Sequence, residues 1–445
     1  MVVKVYLNPP GTSYQYTVVG NDYNLSATSG LLAFYTSSTL GGTIADGVWS
    51  GHTAPGGGSP ALRQIALSGG STCVVGTDSK VYCSGYNYSG QLGNNSTTNT
   101  ITRVPVDMTG VLNGKTVKSI ASSEGSSCVI ASDDKAYCWG SNGSGRLGNN
   151  SSVDSLVPVA VNTSGVLSGK TIKSLSFNFS HACVVASDDK AYCWGRNPYG
   201  ALGNNTTTDS SVPVAVDMTG ALSGKTIKAI TTGYFHTCAV ASDDQAYCWG
   251  WNDYDSGGKG QLGNNSTVSS SVPVAVYQYG ALSGKTVKSI AAGMGTTCVI
   301  ASDDQVYCWG DNQFGQYGNS TTTSNRVPVA TGNYGALSGK TVKAIDLGDY
   351  HTCIIASDNL PYCWGWNGYG QLGNSITSDS TIPVTVSMSG VLSGKTIQSL
   401  GVNRYSSCVI ASDNKPYCWG QNEMGQFGNG LIVNSSVPVA VNDTP

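Results

Sequence analysis

The chain has 445 residues, beyond the roughly 250 to 300 at which a single hydrophobic core stops growing, so several domains or a repeat architecture is expected. Only 11% of the residues are charged and the formal net charge is -3, which provides no basic face for nucleic acid or anionic lipid. No run of about 18 apolar residues occurs, so no helical membrane span is expected.

Residues 1–60 lie outside the repetitive part and read as an extended arm or small β segment. VKVYL and YQYTVV alternate in the manner of strands, and TAPGGGSP at 53–60 has the composition of a flexible linker. The start is not a signal peptide, because Lys4 breaks its apolar run and Pro9 and Pro10 stop it. Two readings follow: a leader already removed, or an anchor upstream. An arm with unpaired strand edges suits addition to a neighbouring sheet, so self-assembly through residues 1–60 competes with a small accessory domain.

Residues 61–445 repeat. The 14 cysteines fall in seven pairs, Cys73 and Cys83, Cys128 and Cys138, Cys183 and Cys193, Cys238 and Cys248, Cys298 and Cys308, Cys353 and Cys363, Cys408 and Cys418. First cysteines recur every 55 residues, except for 60 between Cys238 and Cys298, where one repeat carries an insertion. Each unit has four short β-branched or aromatic segments, such as KSIAS, CVIAS, KAYCWG and VPVAV, bounded by Gly, Asn, Asp and Ser. Four strands repeated seven times predict an all-β, seven-bladed propeller of four-stranded blades. The proline in VPVAV cannot donate to a ladder, which makes that segment the edge strand. Strands from both chain ends can meet in one ring, and which blade they share is left open.

In CVIASDDKAYC a hairpin centred on the first Asp places the two cysteines opposite each other, about 4.5 Å apart at Cα in a non-hydrogen-bonded pair. One disulfide within the hairpin of each blade is the leading expectation, against reduced core thiols or metal and redox chemistry. Zinc favours two to four residues between paired ligands, whereas nine intervene here. Disulfides imply an oxidising compartment, hence a secreted or cell-surface protein.

Several motifs tempt and fail. GVLSGKT at 165–171 encloses three residues between its glycines where a phosphate loop needs four, and its like recurs in six connections, so it reads as a turn. Asp253-Tyr254-Asp255-Ser256-Gly257 echoes a calcium loop, but Asn264 stands where the bidentate Glu belongs. His181, His236 and His351 share one register, two residues before a first cysteine, which suggests packing. Clusters such as Asn94-Asn95-Ser96 fit glycosylation sequons and also plain turns. No metal, cofactor or catalytic constellation is expected.

The segment Trp364-Gly365 through Gly370-Gln371-Leu372-Gly373-Asn374, preceded by HTCIIAS, resembles the repeats of the regulator of chromosome condensation family, over about residues 62–440. The resemblance implies a seven-bladed propeller. Functions in that family run from nucleotide exchange on a small GTPase to light sensing and inhibition of secreted bacterial hydrolases, so the fold does not select among them. A cysteine pair in every blade departs from nuclear members and fits a secreted, disulfide-bearing, bacterial-like variant.

In an up-and-down blade, the loop before CVIAS and the loop after AYCWG share one face of the disc, and the SDDK and LSGKT turns share the other. The second face is nearly uniform among repeats, and the first varies. It carries Tyr86, Tyr88, Phe177, Phe179, Arg196, Tyr199, Tyr234, Phe235, Trp251, Tyr254, Phe314, Tyr350, Trp366, Tyr369, Arg404 and Tyr405. Tyr, Trp and Arg dominate binding hot spots because they bury much area at modest entropic cost. The competing reading has some of these aromatics covering blade ends or lining the ring. The expected function is binding or adhesion to a protein or glycan at the cell surface, with a structural fibre or appendage subunit as the alternative.

Overall fold

A computed structural model describes residues 2–7, 12–17, 64–253, 257–332 and 335–441. Backbone contacts divide the chain into Met1–Ala45 and Asp46–Pro445. In the first unit, Val2–Leu7 and Thr12–Thr17 form an antiparallel pair with Val2 opposite Thr17 and Leu7 opposite Thr12. The proposed linker at 53–60 lies outside the described residues.

The second unit consists of seven four-stranded sheets, each a meander of consecutive strands. The third blade is representative, with strands Ile172–Asn178, His181–Ala186, Ala191–Gly195 and Ser210–Ala215. Its second and third strands are buried along their whole length, which explains why they read as continuous apolar or small-residue runs with no polar alternation. The hairpin between them turns at Ser187-Asp188-Asp189. Asp189 takes φ 57°, the left-handed conformation that Asp tolerates, and the Asp188 carboxylate accepts the Tyr192 hydroxyl at 2.6 Å. This turn sets the register, with Cys183 opposite Cys193. All seven cysteine pairs are disulfide-bonded in this way, with Cα atoms 4.0 to 4.1 Å apart.

The fourth strand is the outer edge, as the proline predicts. Pro213 falls in an irregular stretch between the pairs Gly195 with Ser210 and Cys193 with Val214, where no ladder donor is required. First strands of neighbouring blades pack on one another all the way round, so they surround the axis. The core lies between blades. Leu175, Val184 and Trp194 of the third blade pack with Ile130 and Leu147 of the second. In six blades the Trp after the second cysteine donates its indole N–H to a carbonyl of the preceding blade at 2.6 to 2.9 Å.

Two features depart from expectation. No blade is shared between the chain ends: Ile65–Leu67 begins the first blade and Ser435–Ala440 completes the seventh. The ring closes by side-chain packing of Ile65 and Leu67 with Ile410, Phe427 and Val441, helped by one isolated bridge, Thr102 with Asn429. The closing seam also has its own chemistry. Ser84 replaces the repeated Trp and donates its hydroxyl to the Gln426 carbonyl at 3.1 Å, while buried Arg103 stands where the other blades have the outer-strand proline.

Candidate binding face

A buried asparagine, two residues after the glycine of each WG or SG pair, builds the loop that carries most candidate residues. Asn197 accepts the Leu202 N–H at 2.9 Å and donates to the carbonyls of Thr206 and Thr208 at 3.0 and 3.1 Å. The equivalent Asn87, Asn142, Asn252, Asn312, Asn367 and Asn422 accept the corresponding N–H in the same way. Because this internal bonding fixes the loop backbone, its outward side chains vary without cost to the blade.

Those side chains gather into two clusters. In the first, Phe179 stacks on Tyr234 with centroids 3.7 Å apart, Tyr199 stacks on Trp251 at 4.9 Å, and Phe235 stands edge-on between the two stacks. Arg196 lies over the Phe235 ring at 5.2 Å. In the second, Trp366 is central, with Phe314, Tyr350, Tyr369 and Tyr405 at 6.3, 6.0, 5.6 and 5.3 Å. Arg404 lies over Tyr405 at 4.8 Å. Tyr86 and Tyr88 form a separate tilted pair at 4.8 Å, and Tyr88 is 67% exposed.

One candidate is placed otherwise. Phe177 is only 2% exposed and packs in the core with Leu175 and Trp194, although it also contributes to the lining of the axial cavity. It belongs to the group that the competing reading assigned to the scaffold. Tyr254 lies outside the described residues.

The three histidines and the GVLSGKT segment resolve as scaffold, while residues 254–256 of the calcium-loop echo lie outside the described residues. His181, His236 and His351 are fully buried, and each pairs through Nε2 with a hydroxyl of the next blade, Thr237, Thr297 or Ser407, at 2.7 to 2.9 Å. Burial lowers their pKa to about 3, so they stay neutral. GVLSGKT is a tight turn in which Ser168 N–H reaches the Gly165 carbonyl and Lys170 Nζ the Val166 carbonyl. Among the described residues, no group of three or more His, Cys, Asp or Glu is arranged to hold a metal.

Sequence reasoning missed the acidic part of this face. Glu124 and Asp349 meet Arg404 at the axial mouth, with Arg404 3.0 Å from Glu124 and 3.4 Å from Asp349. Burial, reinforced by the Glu124 charge and opposed by Arg404, pushes the Asp349 carboxyl up to about 7. Beneath it, Asp346 accepts the N–H groups of Leu347 and Val402 at 2.9 and 2.8 Å, and burial raises its pKa to about 8 despite them. Tyr234 is pushed up to about 12 by burial and by the Glu124 and Asp349 carboxylates, against the opposing Arg404 charge. The available signal was positional. Glu124, Asp349 and Arg404 each lie four residues before a first cysteine, and blades of a ring bring equivalent positions together.

Comparison with known proteins agrees with this architecture. Residues 111–444 match the RCC1-like domain, and residues 78–130 match the regulator of chromosome condensation (RCC1) repeat. The chain belongs to the RCC1-like domain family. This RCC1-like propeller is similar to the ultraviolet-B receptor UVR8 of Arabidopsis thaliana, at 29% identity over 87% of the chain and 82% of the receptor. It is also 29% identical, over 81% of its length, to the human E3 ubiquitin-protein ligase HERC2, but spans only 7% of that protein. Yeast RCC1 (Prp20), solved bound to Kap60, superposes with a TM-score of 0.71 at 16% identity, over 94% of this chain and 91% of that one. At that identity the likeness shows the fold.

Proposed function

We propose that this RCC1-like propeller is a non-enzymatic binding protein that recognises a protein or glycan through its aromatic face, outside the cell or at its surface. The observation that carries the reading is the concentration of half-buried aromatic rings and two arginines on one face, on loops whose backbones are fixed from within. Rigid aromatic anchors in a polar surround are the residues that supply binding energy. Related propellers support protein binding as the general role: Prp20 is described with Kap60, Gsp1p and histones as partners. The pairing of every cysteine supports an oxidising location, since such bonds persist outside reducing compartments.

The test compares wild type with the double variant Trp251→Ala, Trp366→Ala on a glycan array and in capture from the native surface or medium read by mass spectrometry. Loss of the captured partner with an unchanged Tm is expected. Capture that survives both substitutions would refute the aromatic face as the site.

A further inference from the structure

One repeat position, four residues before each first cysteine, is occupied around the ring by Gly69, Glu124, Phe179, Tyr234, Met294, Asp349 and Arg404. Six of these seven line a cavity of about 50 Å³ at the axial mouth, together with first-strand ends that include Ser122, Asn178 and Asn403. That volume holds a few water molecules or the tip of a long side chain.

The charges in the mouth do not balance locally. Once Asp349 ionises, above about pH 7, two carboxylates share one guanidinium, and the Asp349 contact at 3.4 Å is longer than the roughly 2.7 to 2.9 Å of a strong charge-assisted bond. Arg146, the other cation close by, donates to the main-chain carbonyls of Glu124 and Phe179 at 3.3 and 3.0 Å, from outside the cavity lining. The stacked rings of Phe179 and Tyr234 stand beside the carboxylates, and Tyr405 lies under the Arg404 guanidinium. Carboxylates at the floor of an aromatic-walled opening complement a cation, and Arg404 already demonstrates the fit of a guanidinium there.

We propose that the axial mouth is a subsite for a lysine or arginine side chain of a protein partner, seated on Glu124 and Asp349 beside Phe179 and Tyr234, with Arg404 turning aside. This rests on the reading of the aromatic face as a binding surface, and it narrows the partner to a protein that presents a basic residue amid the two aromatic clusters.

The test needs no identified partner. Phenylalanine and tyrosine ring spectra of the full chain are followed at pH 8, where Asp349 is ionised, during titration with N-acetyl-lysine methylamide. A saturable shift of the Phe179 and Tyr234 rings, which line the cavity, is expected, while the Tyr137, Tyr192 and Tyr247 rings, which pack in cores elsewhere, stay in place. Arg404→Ala removes the resident cation and should tighten binding about tenfold, the worth of one partly exposed charge contact. Glu124→Gln and Asp349→Asn should each abolish the shift; Glu124 is about 30% exposed, so that variant remains informative if the buried one fails to fold. No Phe179 or Tyr234 shift in either wild type or Arg404→Ala, or a shift unaffected by Glu124→Gln, would overturn the proposal. Saturation by spermidine but not by the blocked lysine would also overturn it, pointing to a free polyamine. Because the amine titration leaves Trp251 and Trp366 untouched, its failure is separable from failure of the aromatic face.

Discussion

Gly203 shows how much a single repeat position carries. It adopts φ +66°, and a Cβ there would lie 2.6 Å from Nε1 of Trp249, the indole of the next blade. Gly224 has a similar φ of +73° with nothing within 4 Å. The pair separates backbone strain from packing. Gly224→Ala should cost about 1 kcal/mol from the left-handed backbone alone, whereas Gly203→Ala adds an overpacking penalty and should cost about 2 to 4 kcal/mol. Thermal melts of the two variants check this, and equal losses would mean that the glycine–tryptophan contact is not a packing constraint. The WG and GN signatures are thus legible as a blade-to-blade joint only once the ring is formed, because the two residues that touch are 46 apart in sequence.

The element that the sequence describes most completely is the central hairpin. Its length, its Asp-Asp turn and its cysteine spacing together dictate the register found, and strand burial follows from the absence of polar alternation. Replacing Cys183 and Cys193 by Ala should destabilise the protein by roughly 3 kcal/mol, the chain-entropy value for a loop of this size, with the hairpin's own turn bonds keeping the strands paired. A melt of the double variant measures it. A Tm equal to wild type would show that the staple restrains nothing that the turn has not already fixed. Less legible was the irregular pairing of the outer strand. Its proline announced an edge, but the bulge depends on where the preceding WGxN loop returns the chain.

At the scale of the whole molecule, the ring buries acids that no single blade would. Asp346 belongs to the sixth blade but accepts an N–H from Val402 of the seventh, and Asp349, Arg404 and Glu124 join the sixth, seventh and second blades. Both aspartates keep their protons in the folded state to about pH 7 or 8, whereas an unfolded aspartate loses its proton near pH 3.9. Through these two groups the folded state binds more protons than the unfolded state, so their contribution falls as pH rises from about 4 to about 8. Buried His181, His236 and His351, held near 3 against an ordinary 6.5, instead make stability rise with pH up to about 6.5. The net fall is therefore confined to about pH 6.5 to 8, with a plateau above. Partly exposed Asp107 and Asp217, held low by hydrogen bonds from Thr109 and Thr219, act oppositely to the buried aspartates and only at the acid end. Melting temperature measured from pH 7 to 9, above the histidine range, should decline in wild type. In Asp346→Asn, which cannot ionise, the curve should be flatter and start lower, because the amide nitrogen cannot accept one of the two N–H groups. A wild-type profile that rises with pH across this range would contradict the assignment.

Composition, cysteine spacing and the fourfold strand pattern determined the all-β propeller, the blade count and the pairing within each hairpin, because these depend on contacts close in sequence. The position of the outer-edge proline and the division of the disc into a uniform and a variable face followed from strand alternation alone. Only the tertiary structure decided that each blade closes on its own strands, that Phe177 serves the core, and that Glu124, Asp349 and Arg404 meet at the axis. These last residues are separated by up to 280 positions, and their charges interact because a closed ring returns the seventh blade to the first.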